Sequence, residues 1–192
     1  MIFFVNMKYI FITGTPNSGK STLAKKTAEL IGGIHVDIDS WREELWQNKE
    51  TRPWVDFFSN QDEKEYWNTT APEQDWQNLV NQSEAFWPVI LEKIKKIIAT
   101  GRPAAFEAVN ILPHLAKRDL PFDGIVLLNT SSDELLERLR ARPRWGATEE
   151  LQKIEALRFV EQAEFYKREA EKYEYKFFNN SREAEEYLSR LK

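Results

Sequence analysis

One eight-residue stretch constrains this 192-residue chain more than any other feature. Gly14-Thr15-Pro16-Asn17-Ser18-Gly19-Lys20-Ser21 fits the pattern G-x-x-x-x-G-K-[ST] without departure. The physics asks for these residue types. The glycines let successive backbone N–H groups curl around phosphate oxygens. The lysine reaches the β- and γ-phosphates, and the serine hydroxyl binds Mg²⁺. A helix starting there turns its positive end to the anion. The context agrees: Lys8 to Thr13 is a β-branched and aromatic run that reads as a strand. Residues 20–31 carry Leu23, Ala24, Thr27, Ala28 and Ile31 at helical spacing, and Gly32-Gly33 closes them. A glycine turn without a ligand is the plain alternative, and a loop held between strand and helix argues for the phosphate. Gly14, Thr15, Pro16, Asn17, Ser18, Gly19, Lys20, Ser21 and Thr22 are therefore the expected nucleotide cradle, with Ser21 as a metal ligand.

The rest of the chain alternates. Residues 34–38 form a second short strand, and Ser40 with Glu43 makes a capping-box pattern that predicts a helix from Trp41. Residues 41–87 differ in composition: they hold six of the seven Trp, and ten acids against four bases. Pro53 and Pro72 interrupt them, so a helical insertion or lobe is expected. A helix follows from Ser83 to Ala99, with Pro88 marking a kink or a new start. Strands are expected over 104–109, 124–129 and 175–178. Between and after them come a helix capped by Ser131, a long amphipathic helix over 148–173 and a closing helix. Strands alternating with helices imply parallel crossovers, hence an α/β three-layer sandwich formed as one domain over 1–192.

Composition removes several classes. The net charge is −4, which argues against general nucleic-acid binding. There is no cysteine, so disulfide scaffolds, Cys-ligated zinc, iron–sulfur clusters and thiol catalysis are excluded. His35 and His114 are too few for a multi-histidine metal site. No stretch is long and apolar enough to span a bilayer, and Met1 to Val5 is too short for a signal-peptide core. A cytoplasmic location is expected; residues 1–6 read either as an upstream start or as an added strand turn.

Chemistry-bearing residues cluster at the strand ends. Asp37 and Asp39 flank Ile38, and residues two apart in a strand share a face. At the carboxyl end of a parallel strand they would face the ligand crevice. There, two acids can hold a Mg²⁺-bound water (Asp37) and take an acceptor hydroxyl's proton (Asp39). Glu107, ending the third strand, is a candidate ligand of the Mg²⁺ water shell, and Asn110 a candidate substrate contact. Arg138, Arg140, Arg142 and Arg144 crowd together with no acid among them, near Pro143 and Gly146. Phosphoryl transfer needs mobile cations, so a lid over 138–148 is expected, with Arg138 and Arg142 sharing a helical face. A basic helix end favoured by the dipole is the simpler alternative. Arg42 and Arg52, the two arginines of the acidic lobe, are candidates for an acceptor phosphate or carboxylate. The tryptophans either wall a sugar or base, or pack the lobe.

In this order, the phosphate loop, Asp37-Ile38-Asp39, the helical lobe and the arginine cluster resemble the small P-loop kinases: shikimate, gluconate, chloramphenicol and nucleoside-monophosphate kinases. The resemblance implies a P-loop NTPase sandwich with a five-stranded parallel sheet of order 2-3-1-4-5, and MgATP as donor. It also implies a lid that closes over the nucleotide and catalytic roles for Lys20, Asp39, Arg138 and Arg142. Asn179, with Asn180, stands where such proteins often contact adenine. Glu107 to Pro113 resembles the Glu-Gly-x-x-x-x-Pro segment of 2-phosphoglycerate-kinase-like proteins, with Ala108 in place of the glycine. The Asp-Gly-x-Pro-Arg segment of nucleoside-monophosphate kinases is absent, as is a GTPase's Asn-Lys-x-Asp, and a hexameric motor ATPase would normally need a longer chain and an oligomer-facing arginine, which the sequence does not single out. The expected activity is γ-phosphoryl transfer from MgATP to a hydroxyl of a small molecule, by a monomer or homodimer. Two alternatives stand beside it: an ATP-binding regulator, and, ranked lower, a nucleotide or polynucleotide kinase.

Overall fold

The computed structural model describes residues 7–58, 60–143 and 148–191. Five parallel strands form one sheet: β1 (Tyr9–Gly14), β2 (Ile34–Asp37), β3 (Ala104–Glu107), β4 (Gly124–Leu127) and β5 (Lys176–Phe178), in the order 2-3-1-4-5. The helices among the described residues are α1 (Lys20–Leu30), α2 (Arg42–Gln47), α3 (Arg52–Val55), α4 (Glu63–Thr69), α5 (Pro72–Ala99), α6 (Pro113–Asp119), α7 (Ser132–Ala141), α8 (Glu149–Lys172) and α9 (Ser181–Ser189).

Alternation along the strands builds two cores. Phe11, Val36, Phe106 and Val126 face one layer, where α5 contributes Phe86, Trp87, Ile90 and Ile94 and α8 contributes Ala163 and Tyr166. Ile10, Ile12, Ala105, Ile125 and Leu127 face the other, against Leu23, Ala24 and Ala28 of α1 and Leu188 of α9. A strand that buries both faces reads as a continuous apolar run, as β1 does. This is the doubly covered parallel sheet of the P-loop NTPases. None of the helices among the described residues is long and apolar enough to cross a membrane.

Three local expectations need correction. Ser40 does not open a capping box. Its hydroxyl donates to Asp37 O (2.6 Å), and its N–H reaches Asp37 Oδ1 (3.3 Å), so the chain makes a 3₁₀ turn over Asp39–Trp41 before α2 begins. The helix expected from Ser83 begins at Pro72, which occupies its first turn, where a missing N–H costs nothing. Pro88 lies within this 28-residue helix and does not restart it. Pro113 opens α6, a short helix the apolar pattern had not announced.

Candidate active site

The phosphate loop leaves β1 at Gly14, where a side chain is impossible: a Cβ there would lie 1.9 Å from the Leu127 carbonyl oxygen of β4. Gly14 (φ 130°), Asn17 (φ 57°) and Gly19 (φ 98°) take the left-handed turns that gather N–H groups to one side. Asn17 tolerates this region better than other side-chain-bearing residues. Thr15 is fully buried, and its hydroxyl accepts the Asn129 N–H (3.1 Å), pinning the loop to the end of β4. Thr13 donates to Val109 O (3.3 Å), pinning it to the segment after β3. Lys20, 6% exposed, donates to Thr15 O (2.7 Å) across the loop it closes. Ser21 and Thr22 are exposed on the first turn of α1. Asn17 Nδ2 and Ser18 Oγ are buried with no partner among the described residues. Donors left over in such a place fit a ligand rich in oxygen acceptors, as a triphosphate is.

The acids divide. β2 ends at Asp37, and Asp39 opens the 3₁₀ turn, so the two are not a same-face pair on one strand. Asp37 is exposed and spends Oδ1 on the turn; Asp39 lines a cavity beside Pro16 of the loop. Glu107 sits opposite Ile12 of β1 and Asp37 of β2, is 2% exposed, and faces His35 Nε2 at 3.5 Å. A carboxylate is a hard oxygen of the kind a phosphate-bound Mg²⁺ takes from a protein. Among the described residues there is no group of three or more His, Cys, Asp and Glu able to hold a metal alone. A Mg²⁺ carried by phosphates needs only one or two protein ligands.

The arginines divide as well. Arg138 crosses to the loop, its Nη1 donating to Asn17 O (2.7 Å). Arg140 pairs with Glu149 (2.7 Å). Arg142 is the C-cap of α7 with extended φ (−148°), so it leaves the helical face expected to hold it beside Arg138. Arg144 and Gly146 lie outside the described residues. Arg42 donates to Val55 O and Asp56, bracing α3, and still lines the cavity. Arg52 donates to Trp46 O (2.9 Å) and lies 4.5 Å over the Trp46 ring, away from the cavity. Asn180 caps α9 through the Glu183 N–H (2.9 Å), leaving the exposed Asn179 as the side chain of that pair not spent on the cap.

Between the phosphate loop and the helical lobe lies a cavity of about 460 Å³, within the usual size of a small-molecule site. Leu45, Val55, Phe58, Trp67, Phe86 and Phe159 give it apolar walls. Trp67 is the only one of the lobe's tryptophans in this lining; Trp87 instead donates to Asp119 (2.7 Å), and Trp76 stacks on Phe165. Asn110 lines the cavity, its amide nitrogen held by Gln82 (3.1 Å) and Ser83 (2.9 Å). Asp75, Gln82, Glu155 and Gln162 also line it and were missed in the sequence. Their signal was present: 75, 79, 82 and 86 on α5, and 155, 159 and 162 on α8, form stripes in which polar residues interrupt an apolar face. Burial pushes the Asp75 carboxyl up, while the Tyr66 hydroxyl (2.6 Å), Arg158 and the Gln162 amide pull it back and Glu161 adds to the rise. Burial likewise pushes the Tyr166 hydroxyl well up, helped by Asp39; it stays neutral and donates to Val109 O (2.7 Å) under the loop.

A loop of this geometry, at the carboxyl end of a 2-3-1-4-5 sheet, is decided by its match to known sequences. The profile of the AAA domain family aligns with residues 10–174. The chain belongs to that family. An adenylate kinase of Mycobacterium sp. (strain MCS) is 29% identical over 144 residues, 74% of each chain. A shikimate kinase from Acinetobacter baumannii, solved with shikimate, superposes with a TM-score of 0.53 at 18% identity, over 98% of this chain and 94% of its own. Another, from Bacteroides thetaiotaomicron, gives 0.52 at 17%, over 95% and 94%. The likeness to these two shikimate kinases shows a shared fold, and the chain is similar in sequence to an adenylate kinase.

Proposed function

We propose that the chain is an ATP-dependent phosphotransferase that moves the γ-phosphoryl group of MgATP to a hydroxyl of a small molecule. The observation that carries this reading is the cavity that begins at Pro16 of the phosphate loop and has Asp39 in its wall. A chain that only senses ATP has no use for an acceptor-sized cavity with a carboxylate at the phosphate end. The kinase names of its relatives support the same class of reaction.

In this reading Lys20 and the loop N–H groups bind the β- and γ-phosphates, and Ser21 and Glu107 would hold Mg²⁺ and its water, which would supply positive charge against the charge that develops on the phosphates. Asp37 braces the turn that presents Asp39. The Asp39 carboxylate takes the proton of the acceptor hydroxyl. That oxygen bonds to the γ-phosphorus as the bond to the β–γ bridging oxygen breaks, and ADP leaves with the electron pair. Arg138, already against Asn17 O, and Arg142 supply cations to the transferring group, and Asn179 lies towards the adenine. Asn110 and Arg42 border the acceptor. Closure of segment 138–148 would exclude water, the competing acceptor.

The test is ADP release from MgATP across sugar acids, phosphoglycerates, nucleosides, nucleoside monophosphates, aminoglycosides and amphenicols, with Lys20→Ala as the blank. Acceptor-stimulated release that vanishes in the blank is the expected result. ATP binding without stimulation by any acceptor would turn the reading to a regulator.

A further inference from the structure

The segment that runs from the end of β4 into α7 touches the phosphate loop at two places. At its base, the Asn129 N–H donates to the buried Thr15 hydroxyl (3.1 Å). At its top, Arg138 Nη1 donates to Asn17 O (2.7 Å). Between the two, Asn129 Oδ1 accepts the Ser131 N–H (3.1 Å), an Asx turn, and Ser131 Oγ caps α7 through the Glu134 N–H (3.3 Å). Arg138 stands about two turns above Ser131, so both lie on one face of α7. The bonds close a ring that runs from Thr15 through Asn129, Ser131 and α7 to Arg138 and back to Asn17. Asn129 is its corner. Its backbone holds the loop, and its side chain holds the start of the helix that carries the arginine.

The corner is fixed where the arginine is not. Asn129 is 4% exposed, and beside it the Leu128 N–H donates to Phe178 O (2.8 Å), which fastens the strand end to β5 independently of α7. Arg138 is exposed, and outside the ring its guanidinium meets among the described residues only Glu134 (3.5 Å), on its own helix. The choice of an amide at the corner is informative. Asn129 Nδ2 is buried with no partner among the described residues, so the side chain leaves a donor that the turn does not use. An aspartate would accept the Ser131 N–H equally well and leave no such donor, but it would set a carboxylate against a loop built for phosphate. An amide braces an anion site without adding negative charge to it.

We infer that Asn129 is a positioning residue, which fixes the start of α7 to the phosphate loop and through that helix sets Arg138 for the γ-phosphate of bound ATP. This rests on the phosphotransferase reading in taking residues 14–21 as the seat of the phosphates and Arg138 as a cation for the transferring group. It does not depend on the acceptor. Without the Asn129 oxygen, the Ser131 N–H loses its acceptor and the first turn of α7 is joined to the corner by main chain alone. A small rotation there is carried two turns up the helix to the guanidinium.

A double-mutant cycle read in binding tests this on the full chain, with MgADP and the non-hydrolysable imido analogue of MgATP as probes. Both dissociation constants are measured by displacement of a fluorescent ADP analogue. Their ratio isolates the part of the affinity that comes from the γ-phosphate. Asn129→Ala and Arg138→Ala should each lower the preference for the triphosphate by about fivefold or more. The double variant should lose no more than Arg138→Ala alone, because Asn129 acts through that arginine. Asn129→Ser, whose hydroxyl can accept the Ser131 N–H, should recover most of the preference. If Asn129→Ala fails to fold, Asn129→Leu, closer in volume, takes its place in the cycle. Losses that multiply in the double variant would make Asn129 a general support of the loop and overturn the inference. So would an unchanged ratio in the Asn129 variant, or equal losses in Asn129→Ser and Asn129→Ala. ADP release across the acceptor panel is followed separately. Coupled variants with no acceptor-stimulated release would keep this inference and overturn the phosphotransferase reading. Stimulated release with uncoupled variants would do the reverse, and a parent chain that binds neither nucleotide would overturn both.

Discussion

The two halves of the site are made in opposite ways. The phosphate loop is eight consecutive residues whose working groups are mostly backbone N–H, held by Thr15 and Thr13 to the neighbouring strands. The cavity beside it is made of side chains from the loop, the turn after β2, the four helices α2, α3, α4 and α5, the segments after α3 and β3, and α8. The first half needs a sequence that permits a backbone shape. The second needs a tertiary fold to bring its groups within reach of each other. A loop of the first kind is common to proteins with many acceptors; selectivity is left to the second.

That contrast breaks most sharply at Lys20. Lys20→Ala should lower ADP release by about 10⁴-fold or more, since it touches both nucleotide binding and transition-state charge. The thermal midpoint, read alongside, separates this loss from a loss of the fold, since Lys20 Nζ also donates to Thr15 O across the loop. Asp39→Asn comes next. It should lower kcat by about 10²–10⁴-fold with the KM for ATP unchanged, read from initial rates; unchanged turnover would remove Asp39 from proton transfer. Arg138→Ala should cost about 10²–10³-fold in kcat if its guanidinium moves from Asn17 O to the transferring group. On the cavity side the effects turn from rate to stability. Arg158→Ala frees two carbonyls at the end of α4 and should cost about 1–3 kcal/mol in denaturant unfolding.

What the sequence made legible follows the same division. The sheet and its order, the loop, and the cap at Ser131 are local or resemblance-borne features, and the structure carries them. Ser40 shows where local reading fails: a hydroxyl has several backbone partners in reach, and here Asp37 O won over the helix N-terminus. Pro88 shows a second limit. A proline inside a helix removes one hydrogen bond, and burial of Phe86, Trp87, Ile90 and Ile94 on one face outweighs that loss. Arg52 and Arg42 were equal candidates by composition; one stacks on Trp46 and the other borders the cavity, a choice set by how α2 and α3 pack. The cavity acids were hidden for the same reason. A carboxylate on an amphipathic helix is ordinary until the opposite helix is placed against it, and α5 and α8 meet only in the fold.

The smallest predicted effect sharpens the electrostatic side of the comparison. Asp75 has its folded pKa raised, chiefly by burial, while unfolded it titrates as an ordinary aspartate. Below the ordinary value both states hold the proton and the fold carries no cost from it. As pH rises through the folded value, the unfolded chain has already lost its proton, and the fold must accept a buried charge. Stability from this group is therefore highest in acid and declines as pH rises, the sign opposite to that of a salt-bridged surface acid. Asp75→Asn keeps an oxygen for the Tyr66 hydroxyl and removes the charge, so the melting temperature of the variant should gain on the parent as pH is raised. Parallel slopes for the two proteins would mean that Arg158 and Gln162 already compensate the charge in full. The melting curves thus read the charge of the cavity without requiring any phosphoryl transfer.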